Sequence, residues 1–180
     1  MSKHYEKTMK QLLELDKLHL ESNPKVLLIY LQMDYENINN TNKFDDKTLH
    51  LRPLLGLQYL IAAARSVNVE AMILDNRILR FNVEILLKFI KKHSVMLLGF
   101  YTSFALTRAN SKFIREIRKY SDIHIIVGGP GYSEYQILLE AGADLICIGE
   151  GEATFIEVIQ KIQNNNKDWT SVDGVVYISD

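Results

Sequence analysis

Lys25-Val26-Leu27-Leu28-Ile29-Tyr30-Leu31 is apolar at nearly every position. A strand with one wet face alternates apolar and polar residues; one that is apolar throughout is buried on both sides. Four further runs have the same character: Val69 to Asp75 (VEAMILD), Val95 to Phe100 (VMLLGF), His124 to Val127 (HIIV) and Asp144 to Ile148 (DLICI). The segments between them have helical periodicity. Pro53 to Asn68 places Leu54, Leu57, Leu60, Ile61 and Ala64 on one face. Asn82 is placed to cap the helix that carries Val83, Leu86, Leu87 and Ile90. Ala105 to Tyr120 turns Phe113, Ile114 and Ile117 inward and Arg108, Lys112, Arg115, Glu116 and Lys119 outward. Ser133 and Gln136 spell a capping box, with Gly142 as the closing glycine, and Thr154 to Gln163 carries the stripe Phe155, Val158, Ile159, Ile162.

Buried strands alternating with amphipathic helices predict an α/β fold: a flavodoxin-like (Rossmann-like), doubly wound five-stranded parallel sheet in the order 2-1-3-4-5. Residues 1–22 read as an N-terminal helical extension with Met9, Leu12, Leu13 and Leu20 on one side. Residues 23–180 form the α/β domain, ending in a short extra strand over 170–178 with a turn at Asp173-Gly174.

At 180 residues, 47% hydrophobic and 24% charged, the composition is that of one ordinary globular domain. Lys and Arg number 21 against 22 Asp and Glu, for a net charge of -1, which provides no drive towards nucleic acid or an anionic membrane. The N-terminus has no apolar signal core and no run reaches bilayer-spanning length, so the cytoplasm is the expected compartment. The single cysteine, Cys147, excludes an internal disulfide and any multi-cysteine zinc or iron–sulfur site made by this chain alone.

In open α/β sheets, ligands bind outside the carboxyl ends of the strands. Those ends carry Gly99-Phe100-Tyr101-Thr102-Ser103, Gly128-Gly129-Pro130-Gly131 and Gly149-Glu150-Gly151-Glu152, while the first strand runs into an overlong, Asn-rich connection from Gln32 to Leu51. For any one glycine, ordinary turn chemistry competes with close approach of a ligand to the backbone; three glycine-bearing exits together favour the ligand. A dinucleotide is disfavoured, because Gly149-Glu150-Gly151-Glu152-Ala153-Thr154 follows the last strand and sets two carboxylates where a pyrophosphate needs positive surroundings. A phosphoreceiver is disfavoured as well. It wants an aspartate ending the third strand and a lysine ending the fifth, where this chain has Phe100-Tyr101 and Gly149-Glu150.

Five pieces in this order resemble the N-terminal cobalamin-binding domain of cobalamin-dependent radical S-adenosylmethionine (SAM) enzymes. They are Pro53-Leu54-Leu55-Gly56-Leu57-Gln58-Tyr59-Leu60; Gly99-Phe100-Tyr101-Thr102-Ser103; Val127-Gly128-Gly129-Pro130; Ala143-Asp144 running into Ile148-Gly149-Glu150-Gly151-Glu152-Ala153-Thr154-Phe155; and Val172-Asp173-Gly174-Val175-Val176-Tyr177. The resemblance implies a cobalamin (corrinoid) cofactor held across the strand ends, its nucleotide tail beside the sheet. Thr102 and Ser103, with Tyr101 before them, would lie near the nucleotide loop; Gly128, Gly129 and Pro130 would flank the tail; Gly149, Glu150 and Gly151 would close its other side. On this basis Gly129→Leu is expected to abolish corrinoid retention while leaving the fold near native.

Two departures qualify the resemblance. Classical cobalamin domains carry Asp-x-His-x-x-Gly after the first strand, and this chain has Met33-Asp34-Tyr35-Glu36-Asn37, so no histidine is placed on cobalt and His50 reads as a solvated loop residue. The radical half should follow Tyr177, and the sequence stops at Asp180. No catalysis, catalytic residue, metal ligand or iron–sulfur cluster is therefore expected from this chain alone. The implied partner is a radical SAM domain or subunit, with self-association through the N-terminal helix and no nucleic acid or membrane. The alternative is a flavodoxin-like interaction domain that has lost the cofactor.

Overall fold

The computed structural model describes residues 23–32 and 53–179. The N-terminal extension, and the part of the long connection that holds Asp34 and His50, lie outside the described residues. The chain order is β1 (Val26–Tyr30), α1 (Leu55–Ser66), β2 (Ala71–Asp75), α2 (Asn76–Leu79), α3 (Val83–His93), β3 (Leu97–Tyr101), α4 (Phe104–Arg118), β4 (His124–Gly128), a 3-10 turn (Tyr132–Glu134), α5 (Tyr135–Glu140), β5 (Leu145–Cys147), α6 (Glu152–Gln163) and β6 (Val175–Val176).

The sheet runs β2-β1-β3-β4-β5-β6, so the expected 2-1-3-4-5 order holds and the sheet has six strands, not five. The first five strands are parallel. β6 is antiparallel to β5, pairing Cys147 with Val175 and Ile146 with Val176, so the extra strand expected over 170–178 is reduced to two residues. It follows the turn at Asp173-Gly174, where Gly174 takes the left-handed φ of 75° that a side chain rarely adopts.

Near-continuous apolarity in the strands has its cause in two separate cores. Leu27, Ile29, Leu98, Phe100, Ile125 and Val127 pack with α3, α4 and α5. Their sequence neighbours Val26, Leu28, Leu97, Ile126, Leu145 and Cys147 point to the opposite face, against α1 and α6. Among the described residues no helix is long and apolar enough to cross a membrane.

Several local expectations hold. The Asn82 side chain accepts from the Ile85 amide at 3.0 Å and starts α3. Gly142, at φ 105°, closes α5, with its amide on the Leu139 carbonyl. The capping box at Ser133 does not form. Ser133 lies inside the 3-10 turn, α5 begins at Tyr135 and its cap position is Glu134, with no side-chain cap bond. Position 131 explains why: a Cβ on Gly131 would come 2.5 Å from the Ser103 carbonyl carbon, so the chain is pressed onto the β3–α4 turn there and reaches helical geometry late.

Candidate functional site

The site originates in the parity of two strands. Counting along β3 and β4, Gly99 and Gly128 fall on the face that looks towards α1 and α6, and in the parallel register Gly99 lies beside Ile126 and Tyr101 beside Gly128. Neither glycine carries a side chain into the space between sheet and helices. The result is a cavity of about 270 Å³ that opens at the carboxyl ends of the strands. Its floor is Leu28, Gly99, Ile126 and Gly128; its walls are Leu57 and Leu60 of α1, Cys147 of β5 and Phe155 of α6. Gly56, Phe100, Tyr101, Gly129, Pro130, Gly149, Glu150, Gly151 and Glu152 form the rest of the lining.

Of the residues singled out from sequence, Tyr101, Gly128, Gly129, Pro130, Gly149, Glu150 and Gly151 are gathered around this one cavity. Thr102 and Ser103 are not among its lining. Thr102 is fully buried, and its amide donates to the Gly128 carbonyl at 2.7 Å, tying the end of β3 to that of β4. The Ser103 carbonyl accepts from the Leu106 and Thr107 amides and from the Thr107 hydroxyl, so it starts α4.

The glycines have different constraints. Gly129 has φ 113°, and a Cβ there would lie 2.6 Å from the Thr102 carbonyl oxygen, so Gly129→Leu strains the backbone and is not the near-native change expected from sequence. Gly149 has φ 85° with open space beyond it, whereas Gly56 combines an ordinary helical backbone with nothing within 4 Å of its Cβ position. At Gly99 a Cβ would press on the Leu28 methyl Cδ2 at 2.7 Å, in the middle of the floor. All four glycines belong to the cavity lining.

Sequence reasoning missed the layered group at the rim. Tyr30 and Tyr101, the last residues of β1 and β3, stack with ring centroids 5.1 Å apart. The Arg77 guanidinium lies 4.3 Å from the Tyr30 ring centre and forms a 2.6 Å ion pair with Asp75, which also caps α2 through the Arg77 amide. The hydrogen bond to Asp75 is the main cause holding the Arg77 pKa above its ordinary value. Burial, helped by Tyr30, raises that of the Tyr101 hydroxyl. The available signal was register: Ile29 pairs with Phe100, so the next residues on each strand, both tyrosines, are neighbours. Cys147 is buried in the cavity wall, and burial pushes its thiol pKa up against the lowering effect of a hydrogen bond with Thr154. Among the described residues no group of three or more His, Cys, Asp or Glu side chains converges as a metal site.

A doubly wound sheet whose strand ends open into an apolar cavity under glycine-rich loops belongs to the class of open α/β domains that bind their ligands at the carboxyl edge of the sheet. The chain matches the B12 binding domain family over residues 50–159 and belongs to that family. It is 35% identical, over 91 residues, to uncharacterized protein MJ1620 of Methanocaldococcus jannaschii, an alignment that spans 51% of this chain and 17% of that protein. The fold is also that of part of the radical S-adenosylmethionine methyltransferase TsrM from Kitasatospora setae. The structure with tryptophan substrate and a SAM analogue superposes with a TM-score of 0.67 at 20% identity, covering 86% of this chain and 28% of that one. The structure with cobalamin and a [4Fe-4S] cluster bound gives 0.65 at 19% identity, covering 87% and 28%. This chain thus corresponds to a minor part of each of these larger proteins.

Proposed function

We propose that the chain is a corrinoid-binding module serving a radical SAM methyltransferase-type enzyme, whose radical half lies on the same polypeptide or on a separate one. The observation that carries this reading is the apolar cavity beneath the Gly128-Gly129 and Gly149-Gly151 exits. At about 270 Å³ it lies just below the usual range of small-molecule pockets, roughly 300 to 1,000 Å³. That is room for the base of a nucleotide tail and not for a whole corrinoid, so the macrocycle lies outside, at the strand ends.

The residues fit such a group. Gly99 and Gly128 leave bare backbone for a flat ring, Leu57, Leu60 and Phe155 cover it, and Gly149 leaves open space where the tail enters. A bound corrinoid supplies the cobalt chemistry. The chain's own residues bind the tail, exclude water from it and fix the orientation of what stands above the strand ends. Exposed apolar side chains at elements following those ends, Leu55, Ile78, Phe104 and Ile148, support docking of a further domain there. The lone thiol suits a cytoplasmic setting, and residues 23–180 are the cofactor-bearing unit, with 1–22 appended to it.

The test is to mix the protein with hydroxocobalamin, desalt it, and record the visible spectrum of the protein fraction. About one corrinoid per chain is expected. A colourless fraction from folded protein overturns the proposal and favours an interaction domain that has lost its ligand.

A further inference from the structure

The chemistry of the cavity, and not only its shape, bears on which corrinoids can occupy it. Natural corrinoids differ in the base that ends the nucleotide tail: a benzimidazole, a phenol, or a purine. The floor and walls offer only hydrocarbon and backbone from Leu28, Gly99, Ile126, Leu57 and Phe155. The single polar side chain among them is the buried Cys147 thiol, a weak hydrogen-bonding group. Its neighbour Thr154 gives its hydroxyl to the Asp173 carbonyl at 2.9 Å. Two backbone groups beside it are already engaged: the Gly128 carbonyl accepts from Thr102, and the Ile148 amide donates to the Gly174 carbonyl. The polar members of the lining stand at strand exits, Glu150 exposed and Tyr101 and Glu152 half-buried.

We infer that this site selects corrinoids whose lower base is a benzimidazole or a phenol, and discriminates against those ending in a purine. The inference rests on the corrinoid reading above. A purine brings an exocyclic amine and further ring nitrogens, each of which loses its water on entering the cavity. Beyond the weakly bonding Cys147 thiol, no polar side chain in the floor or walls replaces that water, and a buried polar group left unpaired is costly. A benzimidazole edge or a phenol ring presents mainly carbon to the same surface.

The experiment is equilibrium dialysis of the purified chain against four corrinoids, read by their visible absorbance: one with a dimethylbenzimidazole base, one with a cresol base, one with an adenine base, and cobinamide, which lacks the tail. The first two are expected to bind within a few-fold of each other, and the adenine form to bind tenfold to a hundredfold more weakly. Equal affinity for the adenine and benzimidazole forms, both above cobinamide, overturns the selectivity while leaving the corrinoid reading intact. Cobinamide binding as tightly as the benzimidazole form also overturns it, because the cavity then does not hold the tail. Failure of all four to bind removes the corrinoid reading itself.

Discussion

Replacing Gly56 by phenylalanine separates the fold from the cavity better than any other single change. Gly56 sits in the first turn of α1, on an ordinary helical backbone, and lines the cavity with nothing within 4 Å of its Cβ position. Gly56→Ala removes backbone freedom from the unfolded chain and is expected to stabilise by about 0.5–1 kcal/mol, a rise in melting temperature of roughly 1–4 °C. In Gly56→Phe the ring turns onto the apolar mouth. Burying half of it adds about 1 kcal/mol, so the apo protein should melt no lower than wild type. Binding behaves oppositely. An aromatic base excluded from the cavity forfeits burial of about 150 Å², worth about 4 kcal/mol, or on the order of 10³ in affinity. Thermal unfolding followed by circular dichroism, paired with corrinoid retention after desalting, reads both. A folded Gly56→Phe protein that retains cobalamin as well as wild type refutes the assignment of the tail to this cavity, whereas loss in Gly56→Ala alone would show that the helix, not the space, matters.

Three further outcomes are expected. Cys147, with its pKa raised by burial, should react with a disulfide reagent about tenfold more slowly than a peptide thiol, and bound cobalamin should slow it further; thiol titration over time measures this. Burial is the main cause lowering the His124 pKa, with Asp144 at 4.0 Å opposing it. The unfolded chain therefore binds the proton more readily, and stability is full above the ordinary imidazole pKa and declines as pH falls towards the depressed folded value; urea unfolding between about pH 7.5 and pH 5.5 should show the decline, and His124→Gln should reduce it. Arg118 donates to the carbonyls of Gly142 and Ile123 and forms a 2.9 Å ion pair with Asp144, while its stem covers Gly142. Arg118→Met, which keeps the stem and removes the donors, should cost about 1–3 kcal/mol in urea unfolding, with no loss of corrinoid binding by the protein that remains folded.

Much of this architecture is legible in the sequence because burial on both faces leaves a mark that no tertiary knowledge is needed to see: β1 is apolar at consecutive positions, and each parity serves its own core. Asn82 and Gly142 were readable for a similar reason, since caps act within one turn of chain. Ser133 misled because its turn is governed by a contact between Gly131 and Ser103, far away in sequence. The four-residue helix α2 depends on Asp75 capping it through the Arg77 amide, and the Tyr30–Tyr101 stack on strands that become neighbours only in the sheet. For the cavity, glycines at strand exits suggested a site, but its floor lies one pleat deeper. Gly99 belongs to the same face as Gly128, and that parity is what turns scattered glycines into a single space.

Two independent cores give this domain a division of labour. The cavity is taken mainly from the side covered by α1 and α6, while the side covered by α3, α4 and α5 carries Phe81, Phe89 and Phe113 fully enclosed, with Phe100 of the same core also reaching the cavity lining. Substitutions at Leu57, Leu60 or Phe155 that reshape the cavity therefore fall outside the core of Phe81, Phe89 and Phe113, and their effects on stability are expected to add to changes there. Such a scaffold lets the cavity be reshaped, or filled altogether, without ceasing to be the same domain.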